Sequence, residues 1–114
     1  MKYVPAPDEQ VWIGVLRLVL HVPGSTGLKD RRRAVQSLLQ RVASRHGAAV
    51  ADVGHLDNAA VAVLAATVVA NDPKVVRARL DAIRNEADQD SHGYVGSSDL
   101  WISRMGEKGN LVDS

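Results

Sequence analysis

A chain of 114 residues with a net charge of +1, no cysteine and no phenylalanine fits one domain with a core of Val, Leu, Ile and Ala. The absence of cysteine excludes disulfides, thiolate metal sites and thiol nucleophiles. The start, MKYVPAPDEQ, lacks the apolar centre of a signal peptide, and no apolar run is long enough for a membrane helix, so a cytoplasmic protein with no membrane partner is expected.

Residues 1–9 read as a flexible arm. From Val11 to Val22 the run VWIGVLRLVLHV is rich in strand formers and ends at Pro23-Gly24. Trp12, Leu16, Leu18, Leu20 and Val22 form one row, and Val11, Ile13, Val15 and Val19 the other, interrupted by Arg17. Two apolar rows point to a central strand. Leu28, Val35, Leu38, Leu39 and Val42 then recur at helical spacing, with Gly47 as a left-handed stop. Ala48–His55 reads as a short strand, Leu56-Asp57-Asn58 as a turn, and Ala59–Ala70 as a long apolar strand. Asp72 and Pro73 open a second helix as cap and first residue, and Val76, Leu80, Ile83 and Ala87 form its buried stripe. A last strand runs through YVGSSDLWIS, Tyr94–Ser103, and residues 104–114 read as a flexible tail.

The order β-α-β-β-α-β predicts an α+β, ferredoxin-like sandwich over residues 10–103: a four-stranded antiparallel sheet with both helices on one face. The first and third strands lie in the centre. The uncovered face keeps one apolar row of each, which predicts a homodimer through that face or an edge strand beside it, against the alternative that the N-terminal arm or C-terminal tail of the same chain folds over it.

Charge is unevenly placed. Residues 28–47 carry Lys29, Arg31, Arg32, Arg33, Arg41 and Arg45 against Asp30 alone, a local +5, which leaves −4 for the rest of the chain. Four cations at a helix start oppose the helix dipole, and such conflicts mark functional sites. These six residues are the candidate contacts for RNA or another anion. The competing reading is a solvated helix start paired with acids of the second helix.

The run GVLRLVLHVPGSTGLKDRRRAVQSLLQRV, Gly14–Val42, followed by VADVGHLD, Val50–Asp57, resembles the YlxP-like family of small bacterial proteins of unknown function. Pro23, Gly24, Ser25, Leu28, Lys29, Asp30, Arg31 and Arg32 carry its most specific part. The resemblance covers about residues 11–103 and implies the same ferredoxin-like fold. It implies no activity. The family's genes often lie beside those for translation initiation and ribosome maturation, which implies a ribosome link. Gly27 and Ala59 depart from the family's pattern, which has a small polar residue and often a Trp there.

His55, Asp57 and Asp52 are the candidate metal or acid/base cluster, weighed against a hairpin turn whose polar groups bind backbone. His21 reads as structural, and Trp12 and Trp101 as packing against each other or a helix. No catalytic triad, phosphate loop or paired RNA-stacking aromatics are visible. The expected function is therefore non-enzymatic, with no catalytic residue, cofactor or metal. We expect a factor that contacts ribosomal RNA or a ribosomal particle. The alternative is a homo-oligomeric protein–protein interaction module without nucleic-acid binding.

Overall fold

The computed structural model describes residues 2–90, 93–106 and 111–113. The order is β1 (Trp12–His21), α1 (Leu28–His46), β2 (Ala49–Gly54), β3 (Val61–Ala70), α2 (Pro73–Asp88), β4 (Tyr94–Met105) and β5 (Leu111–Asp113). The sheet is antiparallel in the order β2-β3-β1-β4-β5, so the first four strands have the ferredoxin-like arrangement expected, with β1 and β3 in the centre. Residues 104 and 105, assigned to a tail by the sequence, continue β4. Leu111–Asp113 pairs with Ser103–Met105 as a further edge strand.

Local signals set the helix limits. Gly47 closes α1 at φ 61°, in the left-handed region that favours glycine. Asp72 caps α2 by accepting a hydrogen bond from the Lys74 N–H at 2.9 Å, with Pro73 in the first turn. Among the described residues, no helix is long and apolar enough to cross a membrane.

The even row of β1 (Leu16, Leu18, Leu20) packs with Ala62, Leu64 and Val68 of β3 against the buried stripes of both helices. Leu16, Leu20, Leu38, Leu80 and Ile83 are almost wholly buried, each worth about 1.5–3 kcal/mol on transfer from water. Gly14 belongs to this row because α2 crosses it closely. A Cβ there would overlap Val76 and stand 2.6 Å from Leu80 Cδ1. The odd row of β1, with its counterparts on β2, β3 and β4, forms the open face of the sheet.

The two tryptophans lie on opposite faces. Trp12 packs against the edge of the helix-side core and donates from Nε1 to Gln10 Oε1 at 2.8 Å. Trp101 pairs with Val15 on the open face. The two therefore do not pack against each other, and Trp12 alone joins the helix-side core.

Candidate functional site

The basic segment is split by the fold into three destinations. Helix periodicity turns position 31 inward with Ala34, Val35 and Leu38. There Arg31, 4% exposed, donates to both carboxylate oxygens of Asp52 at 2.7 and 3.2 Å. It also donates to the carbonyls of Val61 and Gly54, both at 3.1 Å. A bidentate pair with two further acceptors occupies most of the guanidinium's donors. Arg31 therefore ties α1 to the β2–β3 hairpin. It is not a contact for an outside phosphate, which corrects the expectation from sequence.

Arg41 and Arg45 meet the acids of the second helix and its C-terminal end. Arg41 pairs with Asp90 and stands 3.7 Å from Glu86, and Arg45 also lies 3.7 Å from Glu86. His46 Nε2 shares the same carboxylate at 2.9 Å. Burial alone would raise the Glu86 pKa. The His46 hydrogen bond and the charges of Arg45, His46 and Arg41 outweigh it and hold the carboxyl below its ordinary value. Arg41, half-buried, thus ties α1 to α2, whereas Arg45 stays largely exposed beside the same carboxylate.

Lys29, Arg32 and Arg33 remain. All three are exposed, and none has an ion pair among the described residues. They sit at a helix start whose N-cap is Gly27, with no side-chain cap. Asp30 turns back on the loop and accepts from Thr26 Oγ1 at 2.6 Å and from the Thr26 N–H at 3.2 Å. These two bonds, aided by Arg33 and Lys29 against slight burial, hold its carboxyl below the usual range. The acid thus neutralises the loop's donors, and the three cations face outward.

Beside them lies an open hollow of about 470 Å³, lined in part by Pro23, Ser25, Asp30, Arg33 and Tyr94. Tyr94 stacks on His21, with ring centroids 5.1 Å apart and planes 18° from parallel. A register shift in β4 opposite Val19 and Leu20 places Gly96 under the His21 ring, where any Cβ would collide with it. Sequence reasoning assigned no role to Tyr94. The signal was available: it begins the strand that pairs with the strand His21 ends.

The candidate cluster of His55, Asp57 and Asp52 does not form. Asp52 is committed to Arg31, while His55 and Asp57 lie exposed in the hairpin loop. The loop is held by Asn58, whose side-chain oxygen accepts from the Ala60 and Val61 N–H groups at 2.8 and 3.1 Å. His55 adopts φ 56° to make the turn. Among the described residues no three His, Asp or Glu side chains are grouped to hold a metal ion.

A family model described as "Protein of unknown function (DUF503)" matches residues 13–99. No curated protein matches the chain. Among solved structures, "De novo designed protein Foldit4" is similar over 87% of this chain and 99% of its own, at 14% identity and a TM-score of 0.44. The solution structure of the C-terminal domain of the MgtC protein from Mycobacterium tuberculosis is similar over 94% and 98%, at 17% identity and a TM-score of 0.41.

Proposed function

The chain belongs to the DUF503 family of proteins of unknown function, and we propose that it is a non-enzymatic, cytoplasmic binding protein that contacts RNA phosphates through Lys29, Arg32 and Arg33. The single observation that carries this reading is the sorting of the basic segment. Arg31 and Arg41 are engaged within the fold, Arg45 lies exposed beside Glu86, and Lys29, Arg32 and Arg33 stand together, exposed and without an ion pair among the described residues, at an uncapped helix start. Cations left unpaired on one face, beside N–H groups with no side-chain cap, suit a polyanion whose charge is spread along a backbone. Such contacts position a protein on RNA without reading base sequence. The resemblance to YlxP-like proteins supports ribosomal RNA or a ribosomal particle as the polyanion.

The test is binding of the purified chain to a ribosomal RNA fragment at low and raised salt. Binding that falls with salt, and that is lost in Lys29→Ala/Arg32→Ala/Arg33→Ala but kept in Arg45→Ala, supports the reading. No binding by the native chain at low salt overturns it.

A further inference from the structure

We propose that two copies of this chain pair through their open sheet faces about an axis parallel to the strands, Trp101 of each copy seated in a hollow of small residues on the other. The inference is independent of the RNA reading, because it uses the opposite side of the molecule from α1.

The open face divides by side-chain size. Two adjacent rows cross it. One reads Ala49, Thr67, Val15, Trp101 from β2 to β4, and the next reads Ala51, Ala65, Arg17, Asp99. On the β2–β3 half every residue of these rows is small. They leave a shallow hollow of about 340 Å³, lined largely by Val15, Ala49, Ala51, Ala65 and Thr67. On the β1–β4 half stand Trp101, 43% exposed, and the Arg17–Asp99 pair at 2.8 Å. The bulk on one half matches the hollow on the other.

Only one rotation uses this match. A two-fold axis along the strands, between β3 and β1, lays β4 of one copy over β2 of the other and keeps each row opposite itself. Trp101 then meets Ala49 and Thr67 of the second copy, and the Arg17–Asp99 pair meets Ala65 and Ala51. Packed sheets lie about 10 Å apart, so long side chains fit between them only where the facing residues are small. An axis across the strands would instead stack β4 on β4, bulk on bulk, and leave both hollows empty. The chosen axis makes the contact isologous and therefore closed at two copies.

Charge and area agree with a second copy as the occupant. Arg17 and Asp99 neutralise each other, so the face carries no net charge against its own image, and Ile13, Val15, Val19 and Val69 supply the apolar surround. The strand spacing of about 4.8 Å and rise of about 3.3 Å give a face of roughly 600 Å², or roughly 1,200 Å² over two copies, the lower end of stable interfaces. A dimer that forms at micromolar concentration follows.

Sedimentation of the full-length chain at tens of micromolar, followed by a bump-and-hole exchange, tests the proposal. The native chain should sediment as a dimer. Ala49→Trp, at an exposed edge-strand position, and Trp101→Ala should each dissociate at least about tenfold more readily, with unchanged far-UV circular dichroism. Mixing the two variants should restore dimers, because each bump then meets a hole at both contacts. A native chain that stays monomeric overturns the proposal. So does a dimer indifferent to either change, or a mixture that fails to re-form while both variants remain folded.

Discussion

Arg31 and Asp52, 21 positions apart, form a two-pronged ion pair under the β2–β3 hairpin, with side chains 4% and 17% exposed. The pair joins the basic helix start to a strand residue that sequence reasoning had placed in a different cluster. It accounts for one of the four cations in the first six residues of α1, at the end where the helix dipole disfavours positive charge. A buried guanidinium with a bidentate partner costs desolvation that is recovered only while every partner stays in place.

Removing one partner should therefore be severe. Arg31→Ala should lower stability by about 3–5 kcal/mol, because Asp52 is left without its counter-charge. Arg32→Ala, one position on and exposed, should stay within about 0.5 kcal/mol. Urea denaturation of the two variants measures the contrast. Equal midpoints for both would show that the ion pair contributes nothing.

RNA binding should follow the exposed cations alone. If Lys29, Arg32 and Arg33 each neutralise one phosphate, replacing all three with Ala should reduce the slope of log affinity against log salt by roughly 2 for a single strand. Fluorescence anisotropy across a salt series reads the slope. An unchanged slope would place the contacts elsewhere.

The Glu86 cluster should give the fold an acid limit. Its folded pKa is depressed, so its contribution is present above the unfolded value of about 4.3 and is lost as pH falls through the folded one. Glu86→Gln should be less stable than the native chain near pH 7, and the two should converge as pH falls through the depressed folded pKa. Denaturant melts at several pH values test this. A gap that widens toward acid would contradict the assigned sign.

Gly14 should tolerate no side chain without displacing α2. Gly14→Ala drives a methyl into Val76 and Leu80, both fully buried, and should cost about 1–3 kcal/mol. Gly24→Ala, where an added Cβ meets nothing within 4 Å, is the control for glycine replacement as such. Thermal melts of both variants make the comparison, and a Gly14→Ala chain as stable as the native one would mean that α2 shifts freely.

What the sequence determined by itself is what neighbouring residues decide among themselves. The helix stripes, the Asp72-Pro73 start, the Gly47 stop and the two apolar rows of β1 are local patterns, and with the element order they define the ferredoxin-like sheet. The same patterns could not say which row of β1 the helices cover, since both are aliphatic. Gly14 decides it: α2 approaches closely enough only on the row where a Cβ is missing. Nor could the sequence sort the six cations of the basic segment, because a guanidinium's partner is set by distance in space. Arg31 finds Asp52, Arg41 finds Asp90 49 positions away, and Lys29, Arg32 and Arg33 form no ion pair among the described residues. Charge is a property of the residue and can be counted along the chain. Its availability depends on burial and on counter-charges delivered by distant strands and helices, and only the tertiary structure supplies those.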